Sequence, residues 1–375
     1  MNAQNLEIRR ELIRQARQVI VKAGTRLLTS QEAIAKLVDG IAAIRIRGSR
    51  VLLVTSGAVG MGMRALELTR RPKELAKIQA LAAIGQSRLM SIYEEECRKR
   101  GFRTAQLLLT AADLRSRERY LNVMNCINAL WEKDVLPIVN ENDSVSVDEL
   151  KFGDNDTLAG MLASITDSQL TIILTTEQGL RERVDGVLGE RISVVEKLDD
   201  AIRGMAGDTD NSEFSIGGMS SKLRAADIVT AAGEYLWIAD GRVPGILEAI
   251  FRGEDVGTVF LPRRRRMTGR KRWITFFSKV SGALLVDEGA AKAVREHGRS
   301  LLPSGVRFVS GDFKRGDTVE ISGPDGVPFA RGLVNFEASD CLRICGRHSA
   351  EIHEILGPNV DEELIHRDNL TLLTP

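Results

Sequence analysis

The chain has 375 residues, 43% of them hydrophobic and 27% charged, with a formal net charge of +1. That is the composition of a soluble globular protein, long enough for two domains and at least one large core. The near-zero charge excludes a surface built throughout for a polyanion, and no apolar run reaches the ~18–20 residues needed to span a bilayer.

In chain order, the first segment (6–17) is basic and amphipathic. It lacks the apolar centre of a signal peptide, so a cytoplasmic location is expected. A short apolar strand follows at 19–21. Ile34, Leu37, Val38, Ile41 and Ile44 repeat at helical spacing. The run Arg50-Val-Leu-Leu-Val-Thr-Ser reads as a strand buried on both faces. A glycine-rich turn at 57–62 leads into helical pattern to about residue 100. Strands are expected at 107–109, 135–139, 170–174 and 235–239, with helices at 115–131, 158–165 and 221–232 between them. This alternation predicts an α/β domain, with a parallel-rich sheet covered by helices on both faces.

The pattern breaks at 263–272, where seven of ten positions are Arg or Lys. This basic stretch reads as a linker between a catalytic domain at 1–262 and a second domain at 273–375. In the tail, short apolar runs at 282–286, 306–309, 318–321 and 329–334 are separated by Gly, Pro and Asp. A small, mostly β domain is expected, with helices at 288–297 and 349–356. The tail holds 11 Lys and Arg against 15 Asp and Glu, net −4, which argues against a strong RNA footprint.

Four cysteines are too few for a disulfide scaffold in a chain of this length. Cys341 and Cys345 stand at helical spacing with no second pair at zinc-site spacing, so reduced thiols are expected. All four histidines (His297, His348, His353, His366) lie in the tail. Chemistry in the first domain therefore proceeds without an imidazole.

Four clusters carry candidate chemistry, and an open parallel sheet gathers such loops on one edge. Lys22-Ala-Gly-Thr offers a point charge beside a glycine turn, a pairing suited to phosphate. Thr55-Ser-Gly-Ala-Val-Gly-Met-Gly resembles an anion cradle at a helix start, although it matches neither a P-loop nor the dinucleotide fingerprint. Asn140, Glu141, Asn142, Asp143, Asp154, Asn155 and Asp156 form an acidic and amide patch able to bind an ammonium group and orient lysines. Asp156 would equally serve as an N-cap for the next helix. Gly217, Gly218, Met219, Ser220, Ser221 and Lys222 describe a second anion site at a helix start. Together these features suit phosphoryl transfer, which depends on positioning and positive charge. A carboxylate acceptor is ionised near pH 7 and needs no general base, which fits the missing histidines, though an Asp could still serve a hydroxyl acceptor.

The succession Val-Lys-Ala-Gly-Thr, Val-Thr-Ser-Gly-Ala, Val-Asn-Glu-Asn-Asp, Phe-Gly-Asp-Asn-Asp and Gly-Gly-Met-Ser-Ser-Lys resembles the amino acid kinase family, over nearly the whole chain. The Asn-Glu-Asn-Asp and Gly-Asp-Asn-Asp pair is similar to the branch that phosphorylates glutamate. The tail resembles a PUA domain through Gly-Ala-Leu-Leu-Val-Asp-Glu-Gly-Ala-Ala and Ser-Leu-Leu-Pro-Ser-Gly-Val. The resemblance implies that ATP and L-glutamate give glutamyl 5-phosphate and ADP, the first step of proline biosynthesis. It implies that Lys22 and Lys222 neutralise the transferring phosphoryl group and that Asp156 holds both. Ser56, with Gly57 and Ala58, Asp143 and Asn155 would bind glutamate. Thr175, Thr176 and residues 217–222 would bind ATP, with Mg2+ carried by ATP on few or no protein ligands. It further implies a dimer or tetramer, proline as feedback inhibitor and a glutamyl phosphate reductase as partner.

Three nucleotide-side positions depart from the family pattern: Thr176 replaces Asp, Arg181 replaces Tyr and Ile216 replaces Thr. They leave open a catalytically weakened regulator. Other readings are aspartate, acetylglutamate or uridylate kinase activity, and RNA binding through the tail.

Overall fold

Uninterrupted apolar runs cannot face water on either side, so they require a sheet covered by helices on both faces. The computed structural model describes residues 3–145, 154–184, 187–205, 218–264, 266–358 and 360–373. It divides into two units, Met1–Arg266 and Met267–Pro375.

The first unit begins with α1 (Ala3–Gln15), β1 (Gln18–Ala23), α2 (Gln31–Ile46), β2 (Arg50–Val54), α3 (Ala58–Ala65) and α4 (Leu75–Lys99). It continues through β3 (Arg103–Leu109), α5 (Ala111–Arg115), α6 (Arg117–Glu132), β4 (Val135–Glu141), α7 (Asn155–Thr166) and β5 (Leu170–Thr175). Next come the β6 (Arg181–Val184) and β7 (Val187–Arg191) hairpin, β8 (Val194–Val195) and α8 (Asp200–Gly204). It ends with α9 (Met219–Ala231), β9 (Tyr235–Asp240), α10 (Ile246–Phe251) and β10 (Thr258–Phe260).

Among the described residues eight strands form one sheet, in the order β3-β4-β2-β1-β5-β9-β10-β8. Every pairing is parallel except that of β9 with β10. The chain leaves β1 toward β2 on one side and later returns to β5 on the other. A crevice therefore opens where the C-terminal ends of β1, β2 and β5 meet. Val19, Ile20, Val21, Leu52, Leu53, Ile172 and Ile173 are fully buried, as two covered faces require.

Three packing features position that crevice. First, α7 is buried on all sides from Asp156 to Thr166. Gly160 brings α9 against it: a Cβ at this position would lie 3.1 Å from the Cα of Ala225. One turn N-terminal of this contact, the two helices carry Asp156 and Lys222. Second, α3 and α4 cross on two glycines. A Cβ on Gly62 would lie 2.0 Å from the Leu81 carbonyl oxygen, and one on Gly85 would lie 1.8 Å from that of Ala58. Third, α1 is pinned by Arg9, which is wholly buried. Its guanidinium donates to the carbonyls of Ser193 and Val256 at 2.8 and 2.9 Å, pairs with Asp255 at 3.0 Å and lies over the Trp237 ring. Burial lowers its pKa to about 10.

The second unit contains α11 (Gly269–Arg272), β11 (Val280–Val286), α12 (Glu288–His297), β12 (Val306–Gly311), β13 (Thr318–Ser322) and β14 (Pro328–Leu333). It closes with α13 (Ala338–Ile344), α14 (Ser349–Leu356) and β15 (Leu370–Leu372). Its sheet runs β12-β11-β13-β14-β15, with β11 and β13 parallel and the other pairs antiparallel. Leu284, Val306, Phe313, Ile321 and Ile365 centre its own core. Cys341 is buried in this core, which pushes its thiol up to about 12.

The expected α/β unit and small β unit are both present. Several boundaries differ from expectation, among them that of β3, which begins at Arg103 rather than 107. Most of the expected glycine-rich turn at 57–62 is itself helical, in α3, and the helical pattern beyond it is α4 from Leu75; 115–131 is preceded by the separate turn α5, capped by Thr110 and Asp113. Of the basic stretch, Arg263 pairs with Asp227, and Arg266 with Asp167, inside the first unit.

Because the α3–α4 contacts are backbone to backbone, no side chain can yield. Gly85→Ala is expected to lower unfolding free energy by about 1–3 kcal/mol, seen as a lower urea midpoint. An unchanged midpoint would mean the helices can separate freely.

Candidate active site

Lys22 lies inside β1, in register with Val54 of β2 and Ile173 of β5, rather than in the turn beyond the strand. Its ammonium group lies 2.7 Å from Oδ1 of Asp156, at the start of α7. Lys222, in α9, donates to the other oxygen, Oδ2, at 3.0 Å and to the Gly218 carbonyl at 3.2 Å. Ser221 Oγ also donates to Asp156 Oδ2, at 3.0 Å. The side chains of Lys22, Asp156 and Lys222 are 10%, 1% and 8% exposed, so water screens these pairs little. Burial alone would raise the Asp156 pKa, but the two ammonium groups outweigh it and hold the carboxyl at about 2. The N-cap of α7 is Asp154, not Asp156: its carboxylate accepts the Thr157 N–H at 2.8 Å. The capping reading of Asp156 is thereby corrected, because both of its oxygens serve lysines. Burial, and the charge of Asp156 nearby, push the Asp154 pKa upward.

Beside this trio is an amide cluster. Asn155 Nδ2 lies 2.8 Å from the Thr55 carbonyl, 2.8 Å from Ser56 Oγ and 3.0 Å from Asn140 Oδ1. Gly57 has φ +103°, a left-handed conformation that side chains rarely adopt, and it turns β2 into the N-terminus of α3 at Ala58.

A cavity of about 540 Å3 joins these elements, a volume suited to small-molecule binding. Its wall includes Lys22, Ser56, Gly57, Ala58, Asp143, Asn155, Asp156, Thr175, Thr176 and Lys222. Residues read from separate loops are thus brought together. Gly218 and Ser221 touch the trio, whereas Met219 and Ser220, in the first turn of α9, are not part of the wall. Gly217 and Ile216 lie outside the described residues. Arg181 is off the wall, donating to the Gly189 carbonyl at 2.8 Å. Thr176 is held by Arg242, whose guanidinium donates to the Thr176 carbonyl at 2.5 Å and to the Asp240 carboxylate at 2.7 Å.

Arg26, Arg64 and Arg71 also line the cavity and were not expected there. Arg64 donates to the carbonyls of Leu28 and Thr29, tying the loop after β1 to α3. In sequence these arginines look like surface charge, and no spacing sets them apart.

Two ammonium groups fixed on one buried carboxylate leave net positive charge at the cavity. That arrangement stabilises negative charge developing on a transferred group. Among the described residues no group of three or more His, Cys, Asp or Glu is placed to hold a metal ion.

The amino acid kinase family profile matches residues 17–240, and the PUA domain profile matches 282–356. A glutamate 5-kinase of Thermoanaerobacter sp. is 44% identical, over 95% of this chain and 97% of its own length. A glutamate 5-kinase of Desulfotalea psychrophila is 44% identical, over 98% of this chain and all of its own length. That of Thioalkalivibrio sulfidiphilus is also 44% identical, over 97% of this chain and 99% of its own length.

The pairing of Asp156 has a pH signature. Its folded pKa of about 2 lies below the ordinary 3.8. Its contribution to stability is therefore complete above about pH 4 and is lost as pH falls toward 2. Over that window the unfolding free energy of the wild type should drop more than that of Asp156→Asn, by about 2 kcal/mol. Parallel pH profiles would mean the lysines do not hold this carboxylate.

Proposed function

The chain belongs to the amino acid kinase family, in the PUA-bearing branch of the glutamate 5-kinases, and on that premise we propose that it phosphorylates the side-chain carboxylate of L-glutamate with ATP. The products are glutamyl 5-phosphate and ADP, the first step of proline biosynthesis. The observation that carries this reading is the Lys22–Asp156–Lys222 trio on the cavity wall.

In this reading the glutamate carboxylate oxygen attacks the γ-phosphorus of ATP. One P–O bond forms, the bond to the β-phosphate oxygen breaks, and ADP departs. The acceptor is ionised at neutral pH, so no proton has to move. All four histidines lie in the second unit, consistent with a reaction that needs no imidazole.

Lys22 and Lys222 meet the charge that spreads over the phosphoryl oxygens. Asp156 keeps both ammonium groups from drifting apart under mutual repulsion. Ser56 and Asn155 hold the acceptor at the N-terminus of α3, beside Gly57 and Ala58, and Asp143 takes the α-ammonium group. Thr175, Thr176 and the segment from Gly217 to Lys222 hold the nucleotide. ATP brings a divalent cation, taken to be Mg2+, which neutralises phosphate charge when bound. Both Asp156 oxygens are committed to lysines, so Asp154 is the carboxylate at this end that would hold it, beside water and phosphate ligands. A cytoplasmic location, homo-oligomeric assembly, inhibition by proline and a reductase that consumes the acyl phosphate belong to the same proposal. Among the described residues no helix is long and apolar enough to cross a membrane.

Trapping with hydroxylamine tests the reaction. Purified protein with ATP, Mg2+ and glutamate should yield the γ-hydroxamate, and Lys222→Ala should lower the rate at least about 100-fold. Hydroxamate from aspartate or acetylglutamate but not from glutamate, or phosphorylation of UMP alone, would overturn the substrate assignment.

A further inference from the structure

Gln86 lies in the middle of α4 and is 8% exposed. Its Oε1 accepts a 2.9 Å hydrogen bond from Asn140 Nδ2. Its Nε2 is buried with no hydrogen-bond partner. A buried donor without a partner costs free energy. Methionine has the same length and fills such a space without that cost. Filling the space therefore does not favour glutamine here; the bond that its Oε1 accepts from buried Asn140 does.

The amide groups beyond Gln86 have only one consistent orientation, because backbone groups anchor them. The Glu141 N–H donates to Asn140 Oδ1 at 2.9 Å, which turns Asn140 Nδ2 toward Gln86. The Thr55 carbonyl accepts from Asn155 at 2.8 Å, which turns Asn155 Nδ2 toward Asn140 Oδ1 and Ser56 Oγ. Asn155 Oδ1 remains as a buried acceptor with no protein partner, on a residue of the cavity wall. Gly85, next to Gln86, is the position where α4 presses against the Ala58 carbonyl. The helix thus brings Gln86 to the base of the acceptor cluster.

We propose that Gln86 is a positioning residue for the acceptor: it holds Asn140, and through Asn140 it holds the Asn155 side chain against which the amino acid binds. This role rests on the cavity being the glutamate site. Gln86 is not part of the cavity wall and acts through the amide relay.

The test compares full-length Gln86→Met and Gln86→Glu with the wild type by steady-state hydroxamate formation, varying glutamate and ATP separately. Methionine removes the acceptor that Asn140 requires. Glutamate keeps that acceptor and puts a second carboxyl oxygen in place of the partnerless Nε2, and burial favours its neutral, protonated form. Gln86→Met should raise KM for glutamate about tenfold, with KM for ATP and kcat within about twofold of wild type. Gln86→Glu should restore KM for glutamate to near the wild-type value. The urea midpoint of Gln86→Met should fall, because buried Asn140 loses its acceptor, so the role is read from KM for glutamate moving while KM for ATP and kcat do not. An unmoved KM for glutamate in Gln86→Met, a parallel rise in both KM values, or equal impairment in Gln86→Glu would each overturn the role. So would a methionine variant that fails to fold, since glutamine would then be a packing requirement. Absence of glutamate hydroxamate from the wild type would defeat the functional reading itself, whereas wild-type turnover with an unmoved KM would defeat only the role of Gln86.

Discussion

One carboxylate carries two lysines, and the first unit is organised around that constraint. Asp156 is 1% exposed and faces Lys22 from β1 at 2.7 Å and Lys222 from α9 at 3.0 Å. Desolvating three charges is costly, and removing the carboxylate would leave two buried ammonium groups in mutual repulsion. The geometry is therefore supported from several directions. β1 sits centrally in the sheet, α7 is buried on all sides, and Gly160 lets α9 approach until Lys222 stands opposite Asp156. The excess positive charge is left at a cavity wall, where, on the proposed reaction, a phosphoryl group in transit would gain most from it.

The amide cluster beside it follows a different principle. It is built from neutral amides and hydroxyls fixed by backbone groups rather than from charges. Asn155 spans Thr55, Ser56 and Asn140, and α4 braces Asn140 through Gln86. The glycines that let α3 and α4 touch set how closely this brace can approach. The charged trio and the amide cluster thus depend on separate helix pairs, α7 with α9 and α3 with α4, that meet at the end of β1 and β2.

Much of this was legible from residue type and order. Buried parallel strands are continuous apolar runs, so 51–54 and 170–174 could be read directly. The clusters after β1, β2 and β4 share one sheet edge because parallel strands end together. What escaped reading depends on contacts made in three dimensions. Asp154 and Asp156 are chemically alike and two residues apart, and only the direction of each side chain decides which caps α7 and which meets the lysines. Arg9 reads as one charge in a basic segment, yet it is wholly buried because carbonyls of residues 193, 256 and 257 converge on it. Gln86 lies in a helix whose periodicity places it on the buried face, but nothing in its neighbours announces an amide partner 54 residues away. Arg26, Arg64 and Arg71 reach the cavity from loops and a short helix with no periodic signal.

The central claim is that a carboxylate oxygen of glutamate attacks ATP under the two lysines, and isotope transfer tests it directly. Glutamate labelled with 18O in its side-chain carboxylate is incubated with the protein, ATP, Mg2+ and hydroxylamine, and the released inorganic phosphate is analysed by mass. If the carboxylate is the nucleophile, its oxygen bridges carbon and phosphorus in the acyl phosphate. Hydroxylamine attack at carbon then expels phosphate carrying one labelled oxygen. Unlabelled phosphate released alongside hydroxamate would contradict carboxylate attack on phosphorus.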